Sequence, residues 1–239
     1  MNSFLIALQF LTIIPVTHLT IASDKQLGDS SLFYPVIGLI IGSLLVVSAL
    51  WLSDLSLTIQ AAIILILWVL LTGGLHLDGL ADCADAWVGG LGSKQRSLDI
   101  MKDPAAGPIA VVVLVLLLLL KWSMISFVIE QNSIEALLLT PMLGRVAILI
   151  LMLKANYIRA DGLGKKIVLN LPVSAVKGLV LFCMLLSLYY LGVLPISFML
   201  MMLFTVFYQS KKRLGGVTGD VYGASVELVE IAILLGFVI

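Results

Sequence analysis

Three aspartates, Asp78, Asp82 and Asp85, fall within eight residues of one another in "TGGLHLDGLADCADAW" (72–87). The stretch follows "AAIILILWVLL", a run apolar enough to lie in lipid. On a helix the three stand at i, i+4 and i+7, hence on one face, with neighbours only ~6 Å apart. Like charges that close repel, and near lipid the repulsion is poorly screened. Either one carboxylate takes up a proton or a cation sits among them. Gly79, Ala81, Ala84 and Ala86 keep the helix slim and leave room for a ligand beside the acids. Carboxylate oxygens without clustered Cys or His suit Mg²⁺ or Mn²⁺ better than Zn²⁺. The plainer reading is a solvated helix end that happens to be acidic.

Against that reading stand further charges in unusual places. "MKDPAAGP" (101–108) sets Lys102 and Asp103 just ahead of another apolar run. "GGVTGDVYGASVELVE" (215–230) places Asp220 in a Gly-rich turn, Glu227 seven residues on along the same helical face, and Glu230 deeper. Lys121 in "LLLLLKW" and Arg145 in "MLGRVAIL" lie at span depth, where a charge costs roughly 2.5–3.5 kcal/mol and usually faces the bundle interior. Arg145 has a fork suited to a phosphate or a carboxylate. His76 precedes the acids by two residues and points to another helix face; it is read as a spacer or a substrate contact. Divalent-metal acids, buried cations and Gly-rich turns together suit phosphoryl transfer, in which metal ions bridge phosphate oxygens and the protein positions them. No P-loop and no G-x-G-x-x-G occurs, so a P-loop ATPase or a Rossmann oxidoreductase fits poorly.

The elements that must position these groups are membrane helices. The chain has 239 residues, 61% hydrophobic and 12% charged, with a mean hydropathy of +1.17. Soluble domains carry roughly 25% charged residues, so this is an all-α, polytopic integral membrane bundle. We expect about six to seven spans, near 33–52, 58–77, 107–129, 135–153, 177–193, 195–209 and 223–239, with "GVLP" (192–195) turning the long run 177–209. Residues 4–15 are read as an interfacial or re-entrant helix. They lack the basic flank and small-x-small site of a signal peptide. The whole of 1–239 is expected to be one catalytic domain.

Twelve Lys and Arg residues fall on one side if the N-terminus faces inward, whereas "SDLSL", "EQNSIE" and the turn near 193 carry none. This asymmetry predicts a cell-membrane protein whose loops 78–106, 154–176 and 210–222, and with them the acids, face the cytoplasm. A formal net charge of zero argues against nucleic acid as a partner. The lipid bilayer is the implied surroundings. Cys83 and Cys183 form neither a disulfide framework nor a metal spacing.

"GGLHLDGLADCADAW", "IMKDPAAGPIAV" and "GGVTGDVYGASVEL" resemble the signature blocks of the cobalamin (5′-phosphate) synthases, or adenosylcobinamide-GDP ribazoletransferases. "ALQFLTIIPV", "FYPVIGLIIG", the "LLLLLKW" lysine and "PMLGR" match in the same order, so the resemblance runs along nearly the whole chain. One departure is Ala86, where family members often carry Gly. The resemblance implies transfer of the cobinamide-phosphate part of adenosylcobinamide-GDP to α-ribazole or α-ribazole 5′-phosphate, with release of GMP and with Mg²⁺ as cofactor. On these residues we expect metal coordination by Asp78, Asp82 and Asp85, with Asp103 completing the site or serving as general base and Asp82, Asp85 and Asp103 as the catalytic set; Asp220, with Glu227, would hold a second metal or orient the ribazole hydroxyl. Lys102 and Arg145 would bear on diphosphate charge, while Glu227 and His76 would touch substrate. A homo-oligomer is left open. The rival from another class is a cation-coupled transporter, since intramembrane acids also build ion paths.

Overall fold

The computed structural model describes residues 2–16, 22–159 and 162–239, so residues 160 and 161 of the expected cytoplasmic loop fall outside it. The described residues form twelve α-helices: α1 (Ser3–Leu11), α2 (Asp24–Ser30), α3 (Tyr34–Trp51), α4 (Leu57–Thr72), α5 (Leu75–Gly89), α6 (Lys94–Ile100), α7 (Pro108–Glu130), α8 (Ile134–Lys154), α9 (Leu163–Leu169), α10 (Val173–Leu191), α11 (Val193–Leu214) and α12 (Gly219–Val238). Among them is no β-strand, only an isolated bridge between Tyr157 and Val217.

Six helical segments are long and apolar enough to cross a membrane: α2 running into α3, then α7, α8, α10, α11 and α12. The chain is thus a multi-pass membrane bundle. Its core pair is α8 and α12, which are buried along most of their length and pack against each other, with α3 on the outer side of α8 and α5 and α11 against α12. α10 and α11, by contrast, present apolar side chains such as Phe182, Tyr189 and Phe204 outward, the pattern of lipid-facing helices.

The expected span 58–77 is broken. Gly73 and Gly74 both take left-handed backbone, with φ of 62° and 68°, a conformation that costs glycine little and other residues much. Two consecutive residues of this kind end α4 and send α5 off at 88° to it. α5 therefore lies across the N-terminal ends of α7 and α12 instead of extending α4. α4 keeps the crossing direction beside α7, pinned where Trp122 Nε1 donates to the Thr58 carbonyl at 3.0 Å. The long run 177–209 divides at Gly192, as its turn residues indicate.

Candidate active site

α5 brings its acids to the starts of two other helices, and glycine makes the approach possible. A Cβ at Gly79 would sit 2.7 Å from the Asp220 carbonyl oxygen, so any larger residue would push α5 off α12 and part Asp78 and Asp82 from Asp220. Asp78 is exposed; Asp82, Asp85 and Asp220 are half-buried. The Asp82 carboxyl is pushed up to about 6, chiefly by burial, then by the charges of Asp220 and Asp78, with Asp85 adding and Arg159 opposing.

Asp85 is engaged differently. Its two oxygens accept from the Gly107 amide at 2.6 Å and the Ala110 amide at 3.0 Å. α7 begins Gly107–Pro108 and has no side-chain cap of its own, so the first-turn amides that its sequence leaves bare are satisfied across space by α5. This bond also fixes the end of the segment 101–107 that carries Lys102 and Asp103. Both of those side chains are exposed, and Asp103 Oδ1 accepts from the Ala105 amide at 3.0 Å.

The other end of that segment is held by Arg159, whose Nη2 donates to the Met101 carbonyl at 3.2 Å and to Asp220 Oδ2 at 2.8 Å. Arg159 reaches Asp220 because the segment 156–158 pairs with the turn before α12: the Ile158 amide donates to Val217 O at 3.0 Å and the Val217 amide to Asn156 O at 2.9 Å. Thr218 caps α12, accepting from the Val221 amide at 3.3 Å, and its hydroxyl donates to Asp220 Oδ2 at 3.2 Å.

Beside these groups lies a cavity of about 280 Å³, walled by Asp78, Asp220, Arg159, His76, Tyr157 and Tyr222 with a glycine rim at 162, 164, 219 and 223, while Asp82, Asp85, Lys102 and Asp103 do not line it. The tyrosine rings stack, 5.9 Å between centroids and 25° between planes. Burial, the larger effect, and Asp220 raise the Tyr157 phenol, while Arg159 and the Gly219 backbone oppose them. His76 is buried with no hydrogen-bond partner for Nε2.

Arg145 and Glu227 are not in this wall. They belong to a buried tetrad at mid-bundle. Lys121 Nζ lies 3.0 Å from Glu227 and 2.6 Å from Glu230, and Arg145 Nη1 lies 2.7 Å from the other oxygen of Glu230. Lys121 also sits over the Trp68 ring at 4.1 Å. All four charged side chains are essentially inaccessible. The structure thus gathers Asp78, Asp82, Asp85 and Asp220, with His76 beside them, holds Lys102 and Asp103 on the adjoining segment, and puts Arg145 and Glu227 in a charge-balanced core.

Three groups of the site were not singled out from sequence: Arg159, Tyr157 and Tyr222. A lone Arg in a basic loop carries no distinguishing signal. Nor does "DVYG" at 220–223 single out Tyr222, since two residues along a helix turn its side chain to a different face from that of Asp220.

Among the described residues no three of His, Cys, Asp and Glu converge into a ready metal cage. Mg²⁺ commonly takes only one or two carboxylates and fills its remaining positions with water and substrate phosphate. Asp78, Asp82 and Asp220, three acids against a single guanidinium, have the donor chemistry for such a half-built site.

The sequence model of the cobalamin-5-phosphate synthase family matches residues 3–238. Relatives named adenosylcobinamide-GDP ribazoletransferase include that of Pseudomonas fluorescens, 50% identical over 99% of this chain and 98% of its own length. Those of Stutzerimonas stutzeri and Acinetobacter baumannii are 47% and 46% identical, over 99% and 100% of this chain and 97% and 98% of theirs. No solved structure matches the chain.

Proposed function

The chain belongs to the cobalamin-5-phosphate synthase family, and from that premise we propose that it is an adenosylcobinamide-GDP ribazoletransferase that works at the cytoplasmic face of the cell membrane. The donor is adenosylcobinamide-GDP; the acceptor is α-ribazole or α-ribazole 5′-phosphate. A ribazole hydroxyl attacks the phosphorus that bears cobinamide. The new ribazole O–P bond forms, the bond from that phosphorus to GMP breaks, and the hydroxyl proton passes to a base.

The observation that carries the reading is the shared cavity, with acids, one guanidinium and stacked aromatic rings around a single hollow. Its volume of about 280 Å³ is at the small end for ligand sites. It suits a diphosphate and one flat base, leaving the corrin ring at the mouth. Arg159, already tied to Asp220, turns its remaining N–H groups toward phosphate oxygens, a task for which a guanidinium fork is built. Tyr157 and Tyr222 offer ring faces to the base. Asp103, on a segment pinned at Met101 by Arg159 and at Gly107 by Asp85, is poised to accept the hydroxyl proton. Lys102 on the same segment faces the charge of the departing GMP.

Asp78 and Asp82, with Asp220, would hold Mg²⁺. When bound, the ion neutralises charge on the diphosphate. Asp85 contributes by anchoring α7 and the segment before it, keeping Asp103 in place. The cytoplasmic assignment rests on the Lys and Arg bias of the loops. Membranes carrying the protein, given adenosylcobinamide-GDP and α-ribazole, should release GMP when Mg²⁺ is present and fall to background with a chelator. Uptake of a cation without GMP would instead favour the transporter.

A further inference from the structure

On the face of α5 opposite the acids, and just past the end of that helix, lie two hollows that the transferase reading does not use. One is an apolar groove of about 330 Å³, walled by Cys83 and Trp87 of α5, Val113 of α7, Met202 and Val206 of α11, and Leu228 of α12. The other, of about 440 Å³, is bordered by Ser93, Lys94, Lys212 and Arg213. Gln209 lines both, so the two adjoin, an apolar groove beside a cationic mouth.

The mouth lacks counter-charge. Among the described residues Lys94, Lys212 and Arg213 form no ion pair. Arg213 sits 5.5 Å from the centre of the Trp87 ring, at the point where groove and mouth meet, and its Nη2 is buried with no hydrogen-bond partner. A buried guanidinium N–H without an acceptor is unfavourable, so the site lacks an anionic oxygen at that point. The groove lies between membrane-spanning helices, where the available filling is hydrocarbon. A nucleotide would satisfy the mouth and leave the groove empty. An uncharged lipid would fill the groove and leave three cations uncompensated.

We propose that groove and mouth together bind an anionic phospholipid, its headgroup phosphate on Lys94, Lys212 and Arg213 and one acyl chain in the groove between α5, α7, α11 and α12. The site does not depend on which reaction the opposite face of α5 performs. It gives α5, which turns away from α4 at two glycines, a lipid buttress on the side away from the acids.

Native mass spectrometry of the purified full chain, incubated with phosphatidylglycerol or phosphatidylcholine, tests this. The wild type should retain phosphatidylglycerol in preference. The double variant Lys212→Ala/Arg213→Ala should hold it about 30-fold less tightly, at roughly fivefold per lost charge, with turnover in lipid-free detergent unchanged. Lys94→Ala, at an exposed position, should show about a fivefold loss and decides the matter if the double variant does not fold. Val206→Trp should weaken retention with every headgroup cation in place. Equal retention of the two lipids by the wild type, or unaltered retention by the charge variants, would overturn the proposal. So would a rise in KM for adenosylcobinamide-GDP in the lipid-free charge variants, since that would assign the cations to substrate.

Discussion

Two regions of this molecule concentrate charge, and they solve the same electrostatic problem in opposite ways. In the mid-bundle tetrad, Lys121 and Arg145 meet Glu227 and Glu230 at 2.6–3.0 Å, two cations to two anions, all closed off from solvent. At the α5–α12 junction, Asp78, Asp82, Asp85 and Asp220 gather with Arg159 as the one cation that pairs with any of them among the described residues. Inside a low-dielectric bundle a charge must be compensated by the protein itself. Near water the fold tolerates an imbalance, and an imbalance is what recruits a cation and a phosphate. Charge at span depth therefore marks architecture here, whereas uncompensated charge marks the site.

That contrast can be broken at several points. Removing one member of the tetrad should have the largest effect on the fold. Glu230→Leu strands Arg145 and leaves Lys121 with Glu227 alone, and should cost about 3 kcal/mol, read as an earlier unfolding transition in detergent. The same change should leave KM for the acceptor unaltered in whatever protein stays folded. At the junction, Arg159→Ala should leave unfolding nearly unchanged but lower kcat/KM by about 30-fold, near 2 kcal/mol for charge-assisted hydrogen bonds to phosphate. If it destabilised the protein as much as Glu230→Leu, the distinction between the regions would fail.

A smaller effect sharpens the roles within the acids. Asp85→Asn loses one of the two oxygens that cap α7, at about 1 kcal/mol. It should slow turnover a few-fold without shifting the Mg²⁺ concentration needed for half activity. A large shift in that concentration would return Asp85 to the metal. The smallest effect is on pH. The Asp82 carboxyl titrates near 6, above the usual ~3.9 of an unfolded chain, so between those values the folded protein binds the extra proton. Stability from this group should then rise as pH falls from 7 toward 5 without divalent ion. Asp82→Asn should flatten that slope, and Mg²⁺ at pH 7 should give the wild type a similar rise in unfolding temperature.

Much of the fold is legible from apolar run length. The spans at 107–129 and 135–153 match α7 and α8 within a residue or two, because twenty apolar residues in lipid have few alternatives to a helix. A helix is present at Ser3–Leu11, within the stretch 4–15 read as an interfacial or re-entrant one. The break at Gly73–Gly74 was less visible: hydropathy continues through it, and only backbone geometry reveals that the acids ride a separate helix lying across its neighbours. α2, α6 and α9 are too short and polar to stand out. Within the site, helical spacing put Asp78, Asp82 and Asp85 together, and a Gly-rich turn pointed to Asp220. Arg145 was expected to bear on substrate from its depth, and Glu227 from sharing a helical face with Asp220. Depth is readable in a sequence, but the partners Glu230 and Lys121, 85 and 106 residues away, come from packing. Arg159 reaches Asp220 through a two-bond bridge at Val217 that no local pattern announces.

The central claim is that the open acid cluster, not the buried tetrad, carries the transfer. Its most direct test is GMP release by Asp82→Asn in reconstituted membranes across a Mg²⁺ series, beside a wild-type unfolding control. We expect normal insertion and an unfolding transition no lower than that of the wild type, with GMP release lost at every Mg²⁺ concentration. Wild-type release of GMP from the correctly folded variant would contradict the account.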